Sequence, residues 1–91
     1  MNHLIARRYL ISGRVQGVGF RYFVERMGRE CGVAGWVRNL IDGQVEIHAT
    51  GEIEQIERFE ALIRRGPTHA DVRGFDSRED APGRLKGFKI V

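Results

Sequence analysis

Between Ile11 and Arg21 the chain reads ISGRVQGVGFR, with Gly13, Gly17 and Gly19 inside seven residues and an arginine at the end. Glycine belongs where the backbone must take φ > 0 or come close to a ligand. Successive N–H groups exposed in such a loop, at the mouth of a helix, make a site for an anion. Arg21 adds five donors in a planar fork that matches phosphate or carboxylate bidentately. The chemistry to expect is an oxyanion cradle, for phosphate first of all. The plainer reading of the same residues is a tight strand-to-helix turn with an arginine on the surface. The spacing is neither the dinucleotide fingerprint G-x-G-x-x-G nor a nucleotide P-loop ending in Gly-Lys-Ser/Thr, so neither NAD nor nucleoside triphosphate is supported.

Asn39 is the second candidate. Alone it reads as an asparagine that satisfies local backbone beside a turn. The histidines His3, His48 and His69 lack metal-ligand spacing, and Cys31 is the only cysteine. No Ser-His-Asp order and no pair of carboxylates suited to acid–base work is present. His48 is expected on a solvated sheet face, and Glu52, Glu54, Glu57 and Glu60 on a solvated helix face. Tyr9 and Trp36 could form a base-stacking platform. RNA-recognition domains of this topology, however, carry aromatics on the third strand, and QVEIHATG has none.

Ninety-one residues suit one domain, 1–91, with one modest core. The net charge of +3 comes mostly from arginine, interleaved with acids along the chain. It would attract small anions and is weak support for nucleic acid. No apolar run approaches the ~20 residues of a membrane span, and the first residues lack the apolar core of a signal peptide. A cytoplasmic protein is expected.

The elements that must position the two candidates can be read in order. Residues 4–12 form a strand with Tyr9, Leu10 and Ile11 at its heart. Phe20, Phe23, Val24, Met27 and Cys31 give one apolar stripe on a helix over residues 20–31, stopped by Gly32. Gly28 inside it weakens the helix by about 1 kcal/mol relative to alanine. Residues 33–40 and 44–51 are strands joined by an Asp-Gly turn. Val45, Ile47 and Ala49 share one face of the second of these, and Glu46, His48 and Thr50 the other. Residues 52–65 form a second helix with Ile53, Ile56, Phe59, Leu62 and Ile63 on its apolar face. Strands over 71–78 and 85–91 follow.

The order β-α-β-β-α-β, plus a short terminal strand, predicts an α+β, ferredoxin-like split βαβ sandwich. Its two helices would lie on one face of a mostly antiparallel sheet. In that arrangement the first and third strands are expected to be parallel neighbours, with the second antiparallel to the third. The glycine loop, the start of the third strand and Asn39 then meet at one sheet edge.

ISGRVQGVGFR (residues 11–21) and GWVRNLIDGQVEIHATG (residues 35–51) resemble the two signatures of the acylphosphatase family, without a gap in either. The resemblance implies hydrolysis of the carboxyl–phosphate bond of an acyl phosphate to carboxylate and inorganic phosphate. Arg21 matches the family's phosphate-binding arginine, and Asn39 the residue that positions the attacking water. Val15, Gln16, Gly17, Val18, Gly19 and Phe20 match the segment whose backbone N–H groups hold the phosphoryl oxygens. The resemblance implies no metal or organic cofactor, and its typical members are small, cytosolic and monomeric. The same signatures recur as a domain of a larger hydrogenase-maturation protein. The alternative from a different class is a non-catalytic phosphate-sensing or regulatory module on the same fold.

Overall fold

The protein is described by a computed structural model over residues 3–91; Met1 and Asn2, which the single-domain expectation includes, lie outside the described residues. Its elements are β1 (Leu4–Arg14), α1 (Phe20–Cys31), β2 (Ala34–Asn39), β3 (Val45–Glu52), α2 (Ile53–Arg65), β4 (Asp71–Asp80) and β5 (Phe88–Ile90). The sheet order is β4-β1-β3-β2-β5, with every pair antiparallel except β2 and β5. Both helices cover one face, as the ferredoxin-like reading requires.

One expectation is corrected. β1 and β3 are neighbours but antiparallel, with Leu4 opposite Glu52 and Ile11 opposite Val45. The first βαβ crossover returns the chain in its original direction and leaves a gap one strand wide. The β2–β3 hairpin then fills that gap with a strand running the other way. Antiparallel pairing is also what puts the end of β1 beside the start of β3; a parallel pair would have put it beside the end.

The core lies between sheet and helices. Tyr9, Ile11, Val37, Val45, Ile47 and Ala49 supply its sheet side, and Phe20, Val24, Met27, Ile56, Phe59 and Ile63 its helix side. The last turn of α1 ends on Gly32 at φ 73°, whose N–H bonds the Arg29 carbonyl at 3.3 Å. α2 starts with a capping box in which the Glu52 N–H donates to Gln55 Oε1 at 2.9 Å. Ile53 departs from its expected place on the apolar face of α2. It is 42% exposed, because the first turn overhangs the end of the sheet beside Leu4 and Pro82. Glu60 is not simply solvated: its Oε1 accepts from Arg7 at 2.8 Å. Burial first, and then the Glu60 charge, pushes the Tyr9 phenol well above its ordinary pKa.

The second face of the sheet is the larger surprise. His48 lies opposite the helices as expected but is only 5% exposed. The Trp36 ring stacks on it at 6.0 Å and 17°. Its Nδ1 is 2.9 Å from Asp80 and its Nε2 3.1 Å from Thr50 Oγ1. Glu46, equally buried, accepts from Arg8 at 3.2 Å and Arg38 at 2.7 Å. The hydrogen bond from His48 is the main cause that holds the Asp80 carboxyl below the usual range. Polar residues on a sheet face can be buried when every one finds a partner, and alternation alone does not register that. Tyr9 and Trp36 lie on opposite faces, so they form no common platform for bases. At the edge, β4 carries the short-range pairs Arg73–Asp71 at 2.8 Å and Arg78–Asp76 at 3.0 Å.

Gly28 now has a reason. A Cβ on it would stand 2.3 Å from Cδ2 of the buried Phe88 ring, the residue by which β5 closes the core. Gly28→Ala therefore should not give the usual gain in helix propensity. It is expected to lower the unfolding free energy by about 1–3 kcal/mol, the cost of overpacking, as measured by urea denaturation.

Candidate active site

The candidate site lies where β1 ends. Three left-handed glycines carry the chain from β1 into α1: Gly13 at φ 118°, Gly17 at 74° and Gly19 at 77°. At Gly13 the ladder between β1 and β4 shifts register, and a Cβ there would run into the Asp71 carbonyl at 2.2 Å. At Gly17 and Gly19 a Cβ would meet nothing within 4 Å. Only the backbone dihedral selects glycine there. Gly19 is the N-cap of α1 and offers no side chain to cap it. The first turn holds no acidic residue, and the first bond of the helix runs from Phe23 N–H to the Gly19 carbonyl at 3.0 Å. The N–H groups of Phe20 and Arg21 precede that bond and are left at the positive end of the helix dipole.

Arg21 occupies the first turn, half-buried, and takes part in none of the ion pairs formed among the described residues. Arg8, Arg38, Arg73 and Arg78 by contrast are all neutralised by a neighbouring carboxylate. A guanidinium without a partner beside uncapped amides is suited to an incoming anion.

Val15 and Phe20 anchor the loop in the core, while Gly17 and Gly19 are exposed and Val18 is half-buried. Gln16 does something that sequence reasoning missed. Its Nε2 donates to the Leu40 carbonyl at 2.8 Å and to the Gln44 carbonyl at 3.0 Å, closing the mouth of the β2–β3 turn. That turn is itself held by Leu40 N–H to the Gln44 carbonyl at 2.8 Å and by Gly43 at φ 94°. One side chain thus ties the glycine loop to the residue that follows Asn39. A long amide donor placed three residues after a bend glycine was the signal available in the sequence, but its acceptors lie 24 and 28 residues away.

Asn39 ends β2, half-buried, opposite Val45. Its Oδ1 is buried and has no hydrogen-bond partner among the described residues. An unpaired buried carbonyl oxygen is destabilising by about 1–3 kcal/mol. Asn39, Leu40, Ile41, Asp42 and Arg38 line an open cleft of about 500 Å³. Ile41 is fully exposed there at the tip of the turn. Among the described residues no three His, Cys, Asp or Glu side chains gather to hold a metal ion. Among those residues no helix is long and apolar enough to cross a membrane. The Cys31 thiol is buried in the core, and burial pushes it above its usual pKa, away from reactivity.

The acylphosphatase family model matches residues 7–90. An acylphosphatase from Methylococcus capsulatus is 50% identical over 90% of this chain and 90% of its own. One from Archaeoglobus fulgidus is 41% identical over 97% and 99%. The crystal structure of acylphosphatase from Bacillus subtilis superposes with a TM-score of 0.92 at 36% identity, over 96% of this chain and 98% of that one. An uncapped, glycine-rich loop on a ferredoxin-like sheet, together with these likenesses, shows that the chain belongs to the acylphosphatase family and is an enzyme with acylphosphatase activity.

Proposed function

We propose that the chain, acting as a single cytoplasmic domain without metal or organic cofactor, hydrolyses acyl phosphates by direct in-line transfer of the phosphoryl group to water. An acyl phosphate expels a carboxylate, which is a good leaving group, so little acid catalysis is required. Positioning and charge stabilisation supply most of the acceleration. In this reading Arg21 and the backbone N–H groups of Val15, Gln16, Gly17, Val18, Gly19 and Phe20 hold the equatorial phosphoryl oxygens. They act more strongly as negative charge spreads over those oxygens in the transition state.

Asn39 cannot take a proton near neutral pH, because an amide is not basic. Its carboxamide can orient the attacking water, accepting through the carbonyl or donating through the NH₂, and hold that water in line with phosphorus. The observation that carries this role is the place of Asn39, at the end of β2 in the open cleft and one residue from the carbonyl that Gln16 ties to the loop. Gln16 keeps the water-binding and phosphate-binding halves at a fixed separation. Inorganic phosphate is the product, and the protein works as a monomer.

Acetyl phosphate hydrolysis by the purified protein, in the presence of a chelator, tests the whole reading. Turnover is expected to persist. Phosphate binding without turnover would leave a sensing module in its place, and loss on chelation would remove the metal-free part. Asn39→Ala is expected to lower kcat by roughly a hundredfold or more while inorganic phosphate still inhibits at nearly the original concentration. Arg21→Ala is expected to raise the inhibition constant for phosphate as well as to lower kcat, and Arg21→Lys to rescue little, since the fork is lost.

The bridge has its own test. Gln16→Ala leaves the loop amides in place but frees the turn. It is expected to reduce kcat about tenfold with a smaller change in phosphate inhibition, as misplacement of a positioned group does. Steady-state kinetics on acetyl phosphate and the inhibition constant of inorganic phosphate separate the two effects.

A further inference from the structure

In-line displacement puts the attacking water and the departing acyl oxygen on opposite sides of phosphorus. Fixing the water therefore fixes the direction of the acyl group, and this inference rests on the role proposed for Asn39. The sheet order decides which surface lies on that far side. β1 stands between β3 and β4. Ile11 pairs with Val45 on one flank, where the β2–β3 turn begins, and Arg14 pairs with Asp71 on the other, where the connector from α2 arrives. The loop after β1 is thus bordered by the Asn39 turn on one flank and by the connector of residues 66–70 on the other. Gly66 of that connector sits against the Phe20 ring, 3.3 Å from where its Cβ would stand.

On the connector flank there is an open groove of about 490 Å³ that starts at Gly19. Tyr22, Phe23, Arg26, Pro67 and the Glu25–Arg29 ion pair line it. Tyr22 is 68% exposed, so a large flat ring lies at the surface beside the N-cap of α1. The Arg26 guanidinium lies 6.0 Å from the centroid of the Phe23 ring and is in none of the ion pairs among the described residues. Arg29, one turn along, is already paired with Glu25 at 3.3 Å. Two aromatic rings, a proline and an unpaired guanidinium are the surroundings in which a flat apolar group binds, by edge or face contact and by cation–π attraction. The other exposed apolar side chain near the site, Ile41, is on the flank of Asn39 and hence on the side of the incoming water.

We propose that the groove running from Gly19 past Tyr22 and Phe23 to Pro67 receives the acyl group, and that it favours acyl phosphates with an aromatic acyl group over those with a short one. Tyr22 is the specificity-determining residue. The methyl of acetyl phosphate is too short to reach its ring, whereas the phenyl ring of benzoyl phosphate extends along the groove.

Steady-state kinetics of the wild type, Tyr22→Ser and Ile41→Ser with acetyl phosphate and benzoyl phosphate test this. Both side chains are exposed, so both variants should fold, and circular dichroism checks that. Tyr22→Ser is expected to raise KM for benzoyl phosphate about five- to tenfold, the size of one aromatic contact. KM for acetyl phosphate should stay within about twofold, and Ile41→Ser, on the side of the water, should change the two substrates by the same factor. In Tyr22→Ser, equal changes for the two substrates or no change for either, or a benzoyl-specific effect in Ile41→Ser instead, would overturn the assignment. Wild-type turnover of acetyl phosphate and its loss in Asn39→Ala, run in the same series, check the underlying reading separately. With that check passed, a negative result counts against the groove alone.

Discussion

The antiparallel pairing of β1 with β3 is the constraint from which the rest of the molecule follows. Eight register pairs, from Leu4–Glu52 to Ile11–Val45, align the two central strands. Each supplies the helix face of the sheet with residues that are wholly buried, among them Tyr9, Ile11, Val45 and Ile47. Because side chains alternate along a strand, a slip by one residue would turn that set outward and present Glu46, His48 and Thr50 to the helices. Register is therefore fixed by burial, and with it the place where β1 stops. The loop leaves the sheet beside the first residue of β3, one strand away from Asn39. No direct interaction between loop and asparagine is required for this; the hydrophobic core imposes it.

Much of this arrangement could be read from the residues. The apolar stripe of α1, the Asp-Gly turn and the alternation of β3 each obey a local period, and local periods survive in a sequence. Gly13, Gly17, Gly19 and Arg21 are close enough together to be recognised as one loop. What could not be read depends on partners far along the chain. His48 looks like a surface residue until Trp36, Asp80 and Thr50 are brought around it. Gly28 looks like a flaw in a helix until Phe88, sixty positions on, fills the space beside it. Gln16 is one polar residue among several until its two carbonyl acceptors are known. The direction of β3 relative to β1 is a property of the whole topology, and no stretch of sequence carries it.

The polar requirements of the molecule divide between its two ends. Beneath the sheet, Glu46, His48 and Thr50 are each matched by partners, and the matching fixes the chain around residues 80–83, where the Gly83 N–H donates to Thr50 Oγ1 at 3.2 Å. At the loop the opposite holds. Cap amides without a side-chain cap and a half-buried guanidinium in no ion pair among the described residues share the first turn of α1, and a buried amide oxygen without a donor ends β2. A folded chain tolerates such a set only where the remaining structure is stable enough to hold it.

β4 has a consequence of another kind. It is an edge strand of ten residues, long enough to template a strand from another chain. Asp71, Arg73, Asp76, Arg78, Glu79 and Asp80 stand along it, and two of its arginines are folded back onto aspartates of the same strand. A second chain adding there would have to strip water from these charges and break those pairs. The opposite edge, β5, is three residues long and offers little to pair with. A small protein with a five-stranded sheet is thereby shielded at both open edges from sheet-to-sheet aggregation.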